Sequence, residues 1–138
     1  MNVLLPWCLG MKEAKYLCDK YRGKMTMIRS SELQKELFSR LDGITNIECL
    51  SKERVYIWTG FSDEASEGKF ISIIDGRPLN GINPFSPSQP NGDSEENCAR
   101  AEKDYPFEVS WSDSFCDRPL VSFCGLKKNP MLQIRGIK

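Results

Sequence analysis

The chain reads as an α+β domain stapled by disulfides, and three observations point there. Apolar residues recur at helical spacing in the first third, short β-patterned segments occupy most of the rest, and six cysteines are scattered along a chain that has no histidine. Helices first and most strands later is the order of an α+β protein rather than of repeating βαβ units. At 138 residues the chain suits one domain, large enough to bury its own core.

Taken in order, Met11, Ala14, Leu17, Cys18 and Tyr21 recur at helical spacing between Gly10 and Gly23, which predicts a first helix. Lys24 to Ile28 alternates weakly as a short strand. Ser31 with Gln34 forms a capping-box signature ahead of Leu33, Leu37, Phe38 and Leu41, predicting a second helix that ends near Gly43. Val55 to Gly60 is β-branched and aromatic, and Phe70 to Ile74 is similar and runs into the turn signal Asp75-Gly76. The segment from Asp75 to Asn97 carries Pro78, Pro84, Pro87 and Pro90 and no periodicity. Flanked by strand-like segments and followed directly by Cys98, it is expected to be an ordered, functional loop. Cys98 to Ala101, Phe107 to Ser112 and Leu120 to Cys124 complete the set as strands. The segment from Gly125 to Lys138 holds Lys127, Lys128, Arg135 and Lys138 with no acid, as a solvated terminus does. The organisation expected is therefore 1–10 as an incomplete N-terminal strand region, 11–125 as the domain and 126–138 as a basic tail or linker.

Composition excludes several functions. The 19 basic and 19 acidic residues cancel and no long like-charge run occurs, so the footprint of a nucleic-acid or anionic-membrane binder is missing. No stretch approaches the roughly 18 apolar residues of a membrane span, so no membrane insertion is expected of this segment. Met1 to Cys8 lacks the basic n-region of a signal peptide, which leaves room for a longer natural chain. The cysteines, Cys8, Cys18, Cys49, Cys98, Cys116 and Cys124, include no CxxC pair, which argues for disulfides over zinc and places folding in an oxidising compartment. A secreted protein, or the extracellular part of a cell-surface one, is expected.

With no histidine and the cysteines committed to bridges, the usual activators of a nucleophile are absent, and the chain is read as a binding module and not an enzyme. The acid pairs Glu95 with Glu96 and Asp63 with Glu67 are read as solvent-facing rather than as glycosidase carboxylates. What the long loop offers is oxygen: Gln89, Asn91, Asp93, Glu95, Glu96 and Asn97 lie within nine residues, and Asp113 follows. Carboxylate and amide oxygens in such numbers suit a hard cation such as calcium. They equally suit a polar surface loop of turn-forming residues, and composition does not choose between the two.

From Met11 to about Gly125 the sequence resembles the C-type lectin-like domain. Ala14 to Cys18 is similar to that family's first-helix motif, and Trp58-Thr59-Gly60-Phe61 to its tryptophan-glycine motif. Asp63 to Gly68, Gln89-Pro90-Asn91, Glu96-Asn97-Cys98 and Trp111-Ser112-Asp113 with Cys116 follow in the family's order. The resemblance implies two helices packed on small antiparallel sheets with a long calcium-binding loop, with Trp58 and Trp111 as core aromatics. It implies the pairings Cys18 with Cys124 and Cys98 with Cys116. Cys8 and Cys49 remain, to pair with each other or with another chain.

The resemblance also implies a principal calcium and sugar site at Gln89, Asn91, Glu96, Ser112 and Asp113, with Pro90 cis. An auxiliary calcium site would use Asp63, Glu67, Asn97 and the backbone of Glu96, with Asp93 replacing an acid that aligns with Gly92. The departures matter. Mannose-type members read Glu-Pro-Asn and galactose-type members Gln-Pro-Asp, so Gln89-Pro90-Asn91 mixes the two and brings no carboxylate. Ser112 stands where asparagine is usual. Calcium affinity near the millimolar range of extracellular modules is expected. The function implied is calcium-dependent binding of a glycan or glycoprotein, with galactose and mannose classes undecided. The rival is a lectin-like domain that binds a protein ligand and has lost sugar affinity.

Overall fold

A computed structural model describes residues 1–44, 46–50, 54–79, 95–104 and 108–126. Among these residues the elements run β1 (Asn2–Leu9), α1 (Met11–Lys20), β2 (Lys24–Met25), α2 (Ser31–Arg40), β3 (Arg54–Ser62), β4 (Ile71–Ser72), β5 (Cys98–Asp104), β6 (Glu108–Ser114) and β7 (Leu120–Gly125). Both helices precede five of the seven strands, the α+β order expected.

The strands form one sheet in the order β1-β7-β3-β5-β6, with β2 added to β7 and β4 to β3. β3 and β7 meet in parallel at Ile57 and Val121, and the other pairings are antiparallel. β1 is an edge strand whose register with β7 shifts between Leu5 and Leu9. Pro6 lies in that interval, where a residue without an N–H is tolerated.

α1 forms because Met11, Ala14 and Cys18 place one stripe against the sheet, all three fully buried. Its first turn is closed by the Glu13 carboxylate, whose Oε1 accepts the Gly10 N–H at 3.0 Å. The Met11 N–H donates to the Cys116 carbonyl at 2.8 Å. A Cβ on Gly10 would lie 2.9 Å from that carbonyl oxygen, so the close approach of helix and loop requires glycine here.

α2 begins one residue earlier than its capping signature suggests. Ser30, with extended backbone at φ −142°, is the N-cap, and its hydroxyl accepts the Leu33 N–H at 3.1 Å. Ser31 is already helical, so the expected Ser31–Gln34 box is not made. Gln34 turns inward instead, and its Oε1 accepts the Trp111 indole N–H at 2.7 Å, tying α2 to β6.

The sheet separates two cores. On one face Leu37, Phe38 and Leu41 of α2 pack with Ile57, Phe61, Trp111, Val121 and Phe123. On the other, Met11, Ala14 and Cys18 of α1 pack with Leu5, Met25, Trp58, Cys98 and Cys124. Successive residues of a strand face opposite ways, so Ile57 and Trp58 enter different cores. Trp58 and Trp111 are core residues, and Trp58 donates its indole N–H to the Leu9 carbonyl at 2.8 Å.

Three disulfides close the fold: Cys8–Cys49, Cys18–Cys124 and Cys98–Cys116. The cysteine pair left open by the sequence is thus an internal bridge that joins β1 to the segment after α2. The strand expected over Phe70 to Ile74 pairs only at Ile71–Ser72. The Ser72 hydroxyl accepts the N–H groups of Ile74 and Asp75 at 2.9 and 3.2 Å, and this local turn outcompetes the ladder.

Candidate functional site

The candidate site grows from a bulge in β3. Trp58 pairs with Arg100 and Ser62 with Cys98, so four steps on β3 match two on β5. Gly60 sits in the bulge at φ +87°, a backbone region that disfavours any other residue. Thr59 fills the gap in the ladder: its hydroxyl donates to the Ala99 carbonyl at 2.7 Å and accepts the Phe61 N–H at 3.2 Å. Thr59-Gly60 is therefore the device that bends β3 and delivers Ser62 and Asp63 to the start of β5.

There the Asp63 N–H donates to the Asn97 carbonyl at 2.9 Å. The Asp63 Oδ2 accepts the Gly68 N–H at 2.8 Å, closing the loop that carries Glu67 on its exposed side. Asp63 is 2% exposed, and its Oδ1 has no hydrogen-bond partner among the described residues. A buried carboxylate oxygen left bare is costly, and the usual remedy is a cation or an ordered water.

The β5–β6 pairing adds the second group. Cys98 faces Ser114, Ala99 faces Asp113 and Arg100 faces Ser112. The β3 end, Glu96-Asn97 and Asp113-Ser114 thus converge at one end of the sheet, which the Cys98–Cys116 bridge pins. Asp113 and Ser112 are buried, while Glu96 and Asn97 are half-buried.

Sequence reasoning missed Arg100. Its Nε donates to the Ser112 hydroxyl at 3.0 Å, and its guanidinium carbon lies 4.1 Å from the centroid of the Tyr56 ring. Its Nη1 is buried without a partner among the described residues. Only the β5–β6 register could have revealed it.

The candidate residues are therefore brought together in part. Asp63 meets Asn97 directly, with Glu67 in the loop between Asp63 and Gly68, and Glu96, Ser112 and Asp113 stand at the same sheet end. Gln89, Pro90, Asn91 and Asp93 lie outside the described residues. Among the described residues no three histidine, cysteine or carboxylate side chains gather as a metal cluster. A calcium ion would therefore draw on amide, hydroxyl and backbone oxygens as well as carboxylates, and the bare Asp63 Oδ1 fits such an ion. A cleft of about 500 Å³ lies beside this end, between the start of α1 and the segment Phe115 to Asp117. Of the candidate set it touches Asn97 and none of Asp63, Glu96, Ser112 or Asp113.

The fold is that of a lectin-like domain. Residues 9–126 match the family model for the C-type lectin domain, and the chain belongs to that family. Salivary C-type lectin 2 of Aedes albopictus is 29% identical over 115 residues, covering 80% of this chain and 73% of that protein. The cow CD23 carbohydrate-recognition domain, solved in the presence of a GlcNAc2Man3 oligosaccharide, superposes with a TM-score of 0.63. It is 26% identical, with 89% of this chain and 84% of that one covered. A calcium-dependent type II antifreeze protein in its calcium-free form superposes with a TM-score of 0.67 at 17% identity, covering 91% and 90% of the two chains. The family's domains are generally non-enzymatic and typically bind carbohydrate. Among the described residues no helix is long and apolar enough to cross a membrane.

Proposed function

We propose that this domain is a secreted or cell-surface glycan receptor that binds its sugar reversibly with the help of calcium. The observation that carries the calcium part is the Asp63 Oδ1, buried and bare at the sheet end to which Glu96, Asn97 and Asp113 also belong. Asp63, Glu67 and Asn97 would hold an auxiliary ion that orders the loop. Glu96, Ser112 and Asp113, with Gln89 and Asn91, would form the principal site. Calcium, when bound there, supplies coordination to a pair of vicinal sugar hydroxyls. The chain's own part is to fix the oxygens: the β3 bulge holds Asp63, the Cys98–Cys116 bridge holds the β5 and β6 ends, and the register sets Asp113 beside Ala99. The sugar reading draws support from the family and from a relative solved with an oligosaccharide. The salivary relative and the three disulfides support secretion.

Arg100 favours a second reading, a protein-binding domain without sugar affinity. Its guanidinium lies against the Ser112 hydroxyl and opposes a cation there. That hydroxyl has two lone pairs, of which Arg100 uses one, so ligation is weakened rather than blocked.

Calorimetric titration of calcium into the oxidised domain, then of galactose and mannose at saturating calcium, separates the readings. Calcium binding followed by either sugar, both weakened by Glu96→Ala and Asp113→Ala, is the expected result. Calcium without sugar selects the protein-binding domain. No effect of either substitution on calcium or sugar would remove Glu96 and Asp113 from the site.

A further inference from the structure

We infer that Arg100 is a specificity residue, and that the glycan this domain prefers carries an acidic group, a sulfate or a carboxylate, which Arg100 receives. The inference rests on the sugar-binding reading above and adds the chemical class of the sugar.

Three features of Arg100 carry it. Its position is fixed by the fold: it faces Ser112 across the β5–β6 ladder, and its Nε–H is spent on the Ser112 hydroxyl at 3.0 Å. It lies over the Tyr56 ring, whose centroid is 4.1 Å from the guanidinium carbon. Its charge is unanswered: among the described residues no carboxylate forms an ion pair with it, and Nη1 is buried without an acceptor.

A guanidinium is always charged and presents its donors as a planar fork that matches the oxygens of a carboxylate or sulfate. When one edge is tied down and the face is stacked, the remaining donors are oriented in advance, so little freedom is lost on binding. A half-buried cation with an unused donor is an unfavourable ground state that an anionic acceptor relieves. Ser112 belongs to the candidate principal site, so an acid on a sugar seated there lies within the reach of the same side chain. The triplet Gln89-Pro90-Asn91, which the proposed principal site would include, holds no carboxylate in its sequence. An anionic ligand therefore meets less repulsion than it would beside an acidic triplet.

The test compares calcium-loaded wild-type protein with Arg100→Met and Arg100→Lys. Each is titrated with galactose, mannose, galactose 6-sulfate, glucuronic acid and inorganic sulfate. Methionine keeps the apolar stem on Tyr56 and removes the charge, whereas lysine keeps the charge and loses the fork. An acid-bearing sugar should bind wild type about tenfold more tightly than its neutral counterpart, as one charged hydrogen-bonding pair warrants. Arg100→Met should abolish that advantage while neutral sugars still bind and calcium binds as tightly or more tightly, because the guanidinium no longer opposes a cation at Ser112, and Arg100→Lys should retain part of the advantage. The advantage should also shrink as sodium chloride is raised. Neutral sugars binding as well as acidic ones, or an advantage that survives in Arg100→Met, overturns the inference and leaves the lectin reading standing. Inorganic sulfate binding as tightly as the sulfated sugar makes this a site for a free anion and overturns the glycan assignment. Calcium binding without any sugar, neutral or acidic, removes the lectin reading and this inference together.

Discussion

The stapled body of the molecule and the end of its sheet treat buried polar atoms differently. In the body, both buried tryptophan indole N–H groups reach an acceptor, Trp58 at the Leu9 carbonyl and Trp111 at Gln34. At the site end, Asp63 Oδ1, Arg100 Nη1 and Ser114 Oγ are buried without a partner among the described residues. Among the described residues the body has one such atom, Ser122 Oγ on β7. Polar atoms inside a protein are normally paired, so the proposed function assigns this cluster of exceptions to an ion or a ligand. The body is paired within itself, and on the proposed reading the site end is where an ion or a ligand would complete the pairing.

The sharpest way to test that contrast is to cut the two bridges separately. Cys18–Cys124 spans 106 residues of the body and Cys98–Cys116 spans 18 at the site end. On the chain-entropy account, serine at both positions of the first should cost about 4 to 5 kcal/mol and of the second about 3 kcal/mol in urea denaturation. A domain with an ordinary stability of roughly 5 to 15 kcal/mol loses much of its margin in either case. Only the second variant should also lose calcium affinity disproportionately, because it frees the β5 start from the segment after β6. Equal losses of calcium affinity in the two variants would erase the distinction.

A smaller effect is expected at Gln34. Replacing it with alanine removes a 2.7 Å acceptor from the buried Trp111 indole and should cost about 1 to 3 kcal/mol, read by urea midpoint at unchanged slope. Calcium affinity should be unaltered, since the contact belongs to the α2 core.

At Asp63 the opposite pattern is expected. Asp63→Asn removes the charge from a buried oxygen that lacks a partner. Calcium-free stability should therefore change by less than about 1 kcal/mol or rise, and the amide keeps an acceptor for the Gly68 N–H. In thermal melts the variant should lose the share of the calcium stabilisation that the auxiliary ion supplies, about 2.7 kcal/mol at a hundredfold excess over its Kd. A large calcium-free loss would make Asp63 part of the body instead.

The same division explains what the sequence made legible. Both helices announced themselves through local periodicity, because Met11, Ala14 and Cys18 must share a face whatever they pack against. The motifs Trp58-Thr59-Gly60 and Trp111-Ser112-Asp113 placed the two core aromatics. Beyond the two cysteine pairings that the family resemblance implied, contacts across the fold were illegible: nothing near Gln34 in the chain points to Trp111, 77 residues away. Arg100 looks like any strand arginine until the register sets it opposite Ser112. The start of α2 was misplaced by one residue because Ser30 and Ser31 are chemically equal caps, and only the backbone chooses. Of the site, Asp63, Glu67, Glu96, Asn97, Ser112 and Asp113 were readable as candidates, but their burial and pairing were not.

The smallest effect belongs to the turn where the long loop leaves β4. Asp75 is held below the usual carboxylate range, first by the Arg77 N–H, against some desolvation, and further by the Ser72 hydroxyl and the charges of Arg29 and Arg77. Its Oδ1 accepts the Arg77 N–H at 3.1 Å and lies 3.1 Å from the Arg29 guanidinium. Because the folded state lowers its affinity for a proton, the stability it contributes is complete above about pH 4 and fades as pH falls through the folded value. Asp75→Asn should therefore melt slightly below wild type at pH 7, with the gap closing in acid below pH 4. The turn is exposed, so the gap should also narrow in high salt. The site end should behave otherwise, because a buried Asp63 is shielded from salt and its contribution follows calcium. A gap at Asp75 that persists in strong acid would mean that its contribution does not come from the carboxylate charge, and the absence of any gap at pH 7 would make the Ser72 hydroxyl, rather than a charge, the anchor of this turn.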